Sequence, residues 1–499
     1  MKRHLFLTVT LVMFFSLVVN AFAATYYVKP DGNNKLDGRS DAKAWKTIGK
    51  VNSHSFVTGD DVYFKCGGTW TGSQLWVDWS GNSGNKAVIG AYYMDGGAET
   101  IGVSGNKPVI DGNNTVPSGD YTGLIHVQKR DYVTVKNIKV VNSAWDGVRF
   151  QGSSSNNNAT NIETGGIYKV GVKYQYVTTG VVEGCDITDS GRTALYGGDW
   201  PAVLAITTSD SITIRKNVVH ENYGEGIGIY KHSDNCIVED NVCYANAKAQ
   251  IYIGLSRGNI IRRNLCYGTT DKTFWRGSVP GLGIGVSDEP WMSPYSENNK
   301  IYNNLVAYCS KGIFLWCGDS PDWPLKDTDV YNNVVVDCGT NLHLSRSRTA
   351  YENSHVKNNI FWSISGDSIQ ASVPSNHSGL TLDYNLWSST SDTDAQGPHD
   401  PPYATPMLNK TTGWRSMIGG DLNGSNFALR SASPAIDAGI PLGAEFDDIP
   451  ECDKSVWPAQ IVLMDQDNQG SMWEIGADIH VVNPTVLDAP TGLKIAAGQ

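Results

Sequence analysis

From residue 214 to residue 386 the chain repeats one short pattern: an aliphatic residue, an Asn three positions later, and a second aliphatic directly after the Asn. The Asn anchors are Asn217, Asn241, Asn264, Asn304, Asn333, Asn359 and Asn385. Ile214, Val238, Ile261, Ile301, Val330, Val356 and Leu382 precede them; Val218, Val242, Leu265, Leu305, Val334, Ile360 and Leu386 follow. Asn137 and Asp186, followed by Ile138 and Ile187, extend the set but fit the first column less well. Within each segment the apolar positions alternate with period two, which is strand periodicity and not helical. A repeat of this length holds several short strands separated by bends, and successive repeats stack as parallel sheets about 4.8 Å apart. Asn suits the bend because it tolerates the left-handed region and its amide can bond to the next turn. The position after each anchor, Leu305 for example, is expected to point into the coil.

A second strand column follows each anchor, with inward pairs at Val148/Phe150, Ile227/Ile229, Ile251/Ile253, Leu282/Ile284, Ile313/Leu315 and Leu342/Leu344. The residue between each pair points outward and reads Arg149, Gly228, Tyr252, Gly283, Phe314, His343. The next outward position reads Gln151, Tyr230, Gly254, Gly285, Trp316, Ser345. This alternation of aromatics and glycines suits an extended sugar chain, with flat faces for its C–H surfaces and gaps for its rings. Long Trp-bearing segments crowd the same turns: 269–280 with Phe274, Trp275 and Arg276, 288–298 with Trp291 and Tyr295, and 318–327 with Trp323. Long loops on one side of a repeat fold mark its functional face.

Composition narrows the class. The 499 residues carry 39 Lys+Arg against 50 Asp+Glu, a net charge of −11, which disfavours nucleic acid and anionic membrane surfaces as partners. Met1-Lys2-Arg3, the apolar stretch Leu5–Val19 and Ala21-Phe22-Ala23 form an export signal, too short to span a bilayer. The expected organisation is a signal peptide over residues 1–23, one domain over 24–482 and a terminal linker over 483–499. The protein is therefore expected outside the cytoplasm, secreted or periplasmic, as a monomer. Nine cysteines without a C-x-x-C leave at least one unpaired, with room for one or two disulfides.

Several segments carry a resemblance. Tyr26-Tyr27-Val28-Lys29-Pro30-Asp31-Gly32-Asn33 resembles an opening strand, Trp45–Val51 a capping helix and Gly59–Phe64 a first coil. Phe427-Ala428-Leu429, Ser433–Gly439 and Glu474–Ala477 resemble a closing segment. Together with the repeat they make the chain similar, over about Thr25 to His480, to right-handed parallel β-helix proteins of the pectate-lyase-like superfamily. Asp488–Leu493 looks like the first strand of a fibronectin-type-III module, with no module after it. The implied fold is an all-β, single-stranded right-handed parallel β-helix, a solenoid with an N-terminal cap and long loops on one face.

The resemblance implies a carbohydrate-active enzyme, and its preferred reaction is β-elimination on an acidic polysaccharide or oligosaccharide. Lys231, His232 and Arg257 are the candidate catalytic group: elimination needs a base beside a uronate whose charge is offset. Tyr230, Tyr252, Trp316, Trp291 and His343 are the candidate substrate-binding residues. Counting six positions along each strand places Asp288 over Asp319, flanked by Arg257 and Arg348, so that either Ca²⁺ bridges the two carboxylates or the arginines neutralise them. A glycoside hydrolase would use carboxylates instead, from Asp199, Glu225, Asp288 and Asp319. A non-enzymatic surface or matrix protein is the third reading, since the fold serves many functions.

Overall fold

A computed structural model describes residues 23–480 apart from 290–294, 318–324, 345–350, 366–367, 374–376, 390–394 and 418. Most of the expected signal peptide and all of the expected terminal linker, together with Trp291, Asp319, Trp323, Ser345 and Arg348, lie outside the described residues. The chain winds as a parallel β-helix whose strands pair turn upon turn. Each central turn has three faces. Glu225–Tyr230, Ala249–Gly254 and Leu282–Asp288 belong to the first, Ile237–Glu239 and Ile260–Arg262 to the second, Val242–Asn246 and Leu265–Tyr267 to the third. The third face is a continuous 12-stranded parallel sheet from Thr69–Thr71 to Leu386–Trp387. Among the described residues the α-helix is a single short one, Ile48–Asn52. Thr47 Oγ1 caps it by accepting from Lys50 N at 3.1 Å, and Ile48 and Val51 join the coil's core. No described helix is long and apolar enough to cross a membrane.

Asn217, Asn241, Asn264, Asn304, Asn333, Asn359 and Asn385 form one buried ladder. Each side-chain N–H donates to the side-chain oxygen of the next at 2.9–3.0 Å. Every rung also ties down a backbone carbonyl, as Asn304 does with Ile261 at 2.9 Å. The repeat therefore persists because the same amide satisfies the same buried bend on each turn. Asn137 and Asp186 stand outside this ladder. Asp186 pairs with Val218, one position beyond Asn217, and Cys185 occupies the ladder position. Asn137 lies two residues before Lys139, which reaches the Val218 column through Glu163 and Asp186.

The third face is buried on both sides, and this corrects the expected direction of Leu305. The interior holds Val219, Cys243, Cys266, Val306, Val335 and Phe361, two positions after each anchor. Leu265, Leu305, Val334 and Ile360 point away from the coil, into a second cluster with Leu408, Trp414, Phe427 and Ile475. The C-terminal segment thus returns along the coil and covers its third face. Trp457 anchors it by donating from Nε1 to Arg263 O at 2.7 Å. All nine cysteines are free thiols. Cys243 and Cys266 stack one turn apart, parallel and unbonded.

Candidate active site

The first face carries the cleft, and its register differs from the sequence expectation. Ile284, not Leu282, stands opposite Ile313 and Ile251. The outward column is therefore Arg149, Lys173, Ala205, Gly228, Tyr252, Gly285, Phe314, His343. The next one is Gln151, Gln175, Thr207, Tyr230, Gly254, Ser287, Trp316. The glycines in these columns are not open gaps for sugar rings. A Cβ on Gly228 would stand 2.4 Å from the Tyr230 hydroxyl, and one on Gly285 2.0 Å from the Phe314 ring. Neighbouring aromatics fill the space that glycine leaves. Tyr252 and Phe314 are consequently buried, at 8% and 5% exposure, while Tyr230 and Trp316 are partly open.

The cleft has two adjoining chambers of about 420 and 350 Å³, both lined by Glu225, Tyr252 and Glu289. Glu225 opens its strand and faces the junction. Tyr230, from the other end of that strand, lies back over Gly228 and donates its hydroxyl to Glu225 Oε2. On the neighbouring rung the Tyr252 hydroxyl donates to Glu289 Oε1 and bonds Ser287 Oγ. The first chamber adds Lys173, Asp199, Trp200 and Lys231; the second adds Lys248, Arg276, Lys311, Trp316 and His343. Five basic side chains thus face three acidic ones, in a chain that is acidic as a whole.

Burial pushes the Glu225 carboxyl up to about 7; Glu289 reinforces the shift, and Lys248 and Arg276 oppose it. Lys248 Nζ lies 3.9 Å from Glu225 Oε1. The Lys173 amine is held below its usual range, chiefly by burial, with Arg149 and Lys231 adding to the shift and Asp146 opposing it. Burial also lowers Lys311. Carboxyl and amine are thereby drawn from opposite sides toward neutral pH, as acid–base chemistry requires.

The expected Lys231, His232 and Arg257 group divides. Lys231 and His232 turn a left-handed corner, at φ +55° and +60°. Lys231 lines the first chamber. His232 packs edge-on against Tyr295, with ring centroids 3.8 Å apart, and borders a separate depression with Asp131, Tyr176 and Asp210. Arg257 pairs with Asp234 at 3.2 Å and Glu297 at 3.3 Å and covers the Tyr295 ring. These contacts raise its guanidinium further, Tyr295 first.

The stacked Asp288/Asp319 pair is likewise corrected: Asp288 pairs with Cys317, two positions short of Asp319. The Asp288 side chain is fully buried and accepts the backbone N–H groups of Tyr295 and Ser296, at 3.0 and 2.9 Å. Its carboxyl is raised by burial. A carboxylate spent on its own loop does not fit a calcium ion shared with a neighbour. Among the described residues, the one trio of acidic side chains within 4.8 Å of one another, Asp447, Asp465 and Asp467, belongs to the C-terminal segment. Asp199 lines the first chamber and pairs with Lys169.

Sequence reading passed over Lys173, Lys248, Glu289 and Lys311. The Lys173 signal was present: Val172-Lys173-Tyr174 and Leu204-Ala205-Ile206 are two further rungs of the same alternation. Glu289 leaves its strand into a loop and carries no periodic signal.

The family described as the right handed beta helix region matches residues 100–266 and 204–385. No curated protein matches the chain. Among solved structures, the GH136 lacto-N-biosidase from Eubacterium ramulus is 15% identical, covering 72% of this chain and 67% of its own, at a TM-score of 0.50. Pectate lyase Pel9A is 14% identical over 92% and 96%, and the PL6 family alginate lyase AlyGC 14% identical over 85% and 58%, each at a TM-score of 0.47. At these identities the likeness is one of fold.

Proposed function

The chain belongs to the right-handed β-helix family, and on that coil we propose a carbohydrate-active enzyme that cleaves an acidic polysaccharide by acid–base hydrolysis in the Glu225 cleft. The observation that carries this reading is Glu225 itself, a buried carboxyl facing the cleft, pushed up to about 7, with a second carboxylate, Glu289, beside the same junction. Two carboxyls held in different environments divide the work. Glu225, protonated, gives its proton to the leaving glycosidic oxygen. Glu289 either draws the proton from an attacking water or attacks the sugar, and the anomer of the first product tells which. Lys173, Lys231, Lys248, Arg276 and Lys311 favour an anionic chain by charge.

Elimination is the second reading, favoured by one specific observation: the lowered amine of Lys173 in the same chamber. A neutral lysine there could take the C5 proton of a uronate, with Lys231 offsetting the carboxylate. The separating experiment assays a panel of acidic polysaccharides for new reducing ends and for the ultraviolet absorbance of an unsaturated product. Hydrolysis is expected to give reducing ends alone, and Lys173→Ala to weaken use of the acidic chain without changing the product. Unsaturated product from the parent, lost by about 10²–10⁴-fold in Lys173→Ala, would replace hydrolysis by elimination.

Trp316 offers the open aromatic face of the second chamber. Trp316→Ala is expected to weaken oligosaccharide binding by about 1–3 kcal/mol, the scale of one large apolar contact. Titration calorimetry on the folded variant measures it, and unchanged affinity would move the binding face away from this chamber.

A further inference from the structure

Beside the first chamber, and outside the site assigned above, four aromatic side chains climb the coil. Tyr121, Trp145, Tyr168 and Tyr196 have successive ring centroids 5.6, 6.1 and 6.3 Å apart. Stacking of turns produces the row: Lys169 N donates to Trp145 O at 3.0 Å, and Tyr168 N to Ser143 O at 3.0 Å, so the segments carrying Trp145 and Tyr168 run one above the other. The end members are far more open than a packing role requires, Tyr121 at 66% and Tyr196 at 72% exposure. A contiguous exposed aromatic surface of this kind calls for a partner.

The chemistry around the row points to a sugar chain. A hollow of about 520 Å³ lies along it, bordered by Asn114, Ser143, Arg192, Tyr168 and Tyr196. Sugar hydroxyls can be hydrogen-bonded by the Asn114 amide and the Arg192 guanidinium, while ring C–H faces rest on the aromatics; the buried Ser143 hydroxyl is spent on Asp146 O. Lys169 Nζ sits 5.3 Å from the Trp145 ring and 5.9 Å from the Tyr168 ring, placing a cation on the same surface. The row also adjoins the cleft. Lys169 pairs with Asp199, and Asp199 and Val170 line the first chamber.

We propose that the Tyr121–Trp145–Tyr168–Tyr196 ladder is a second polysaccharide-binding surface, which holds the polymer where it runs out of the cleft. This rests on the carbohydrate reading of the cleft. A short oligosaccharide occupies the cleft alone; a polymer gains the ladder's contacts through the raised effective concentration of a tethered second site.

The test is affinity electrophoresis through gels containing polygalacturonate or alginate, with turnover of both polymers and of their short oligosaccharides. It compares the parent, the Tyr121→Ala/Tyr196→Ala double variant and Glu225→Gln. Both ladder positions are exposed, so the double variant keeps the core intact. The expected result is a several-fold loss of retardation in the double variant, with unchanged turnover of short oligosaccharides, while Glu225→Gln is retarded like the parent. Equal retardation of the double variant and the parent overturns the ladder. So does turnover of a polymer that retards neither of them. A parent that is neither retarded by nor active on either polymer removes the functional reading, and the ladder with it.

Discussion

Glu225→Gln is expected to lower turnover by about 10²–10⁴-fold, the worth of one positioned proton donor, and at the same time to make the folded protein more stable at alkaline pH. Gln keeps the shape and can still accept from Tyr230, so the loss measures the proton and not the packing. Parent activity should fall as pH rises through about 7, where Glu225 loses its proton. The stability change follows from the same shift. A carboxyl raised from its ordinary 4.5 to about 7 binds its proton more tightly when folded. Its contribution is therefore most favourable below 4.5 and is lost progressively up to about 7. Above that, the parent carries a buried charge worth about 3 kcal/mol that the Gln variant lacks. Thermal melts at pH 5 and pH 8 should show the variant gaining on the parent only at the higher pH. The same pH dependence in both proteins would mean that Glu225 is already ionised near neutrality, and the acid role would go with it.

Leu305→Asp is expected to cost more than about 4 kcal/mol, since it sets an unpaired carboxylate in a fully enclosed apolar site. Leu305 is fully buried, between Leu265 and Val334 on the third face. Because this column faces the C-terminal segment and not the coil interior, the damage should begin there. Limited proteolysis should cut the variant first within residues 403–480, while the stacked turns persist longer. Leu305→Ala, a cavity alone, should cost about 2–5 kcal/mol. Wild-type melting of Leu305→Asp would show that the third face is not covered as described. Early cleavage spread evenly over the coil would show that the segment and the coil fail together.

The coil was legible in the alternation of apolar positions. A period-two pattern that recurs with an Asn at one bend has few solutions, and the ladder from Asn217 to Asn385 is the physical cause of that recurrence. The sequence also determined that Tyr230, Tyr252 and Trp316 point outward from the first face, because alternation sorts side chains to inside and outside, whereas Glu225 has the parity of the inward Ile227 and its place in the cleft is a tertiary result. Tertiary structure alone decided which rung stands beside which. Leu282 and Ile284 both satisfy the alternation, and a slip of two residues keeps every side chain on its face while changing its neighbours. That slip set Asp288 opposite Cys317 and Gly285 under the Phe314 ring. The fate of Leu305 also lay beyond local pattern, because a strand buried on both sides has no polar face to betray its direction. Its second cover comes from residues more than a hundred positions away. Glu289 reaches the cleft from a loop and Arg276 from the short Trp275–Arg276 strand, an excursion between turns, where the coil's periodicity places no side chain. The pairing of Glu225 with a second carboxylate, and the burial that lifts its carboxyl, therefore exist only once the turns are stacked and the loops folded over them.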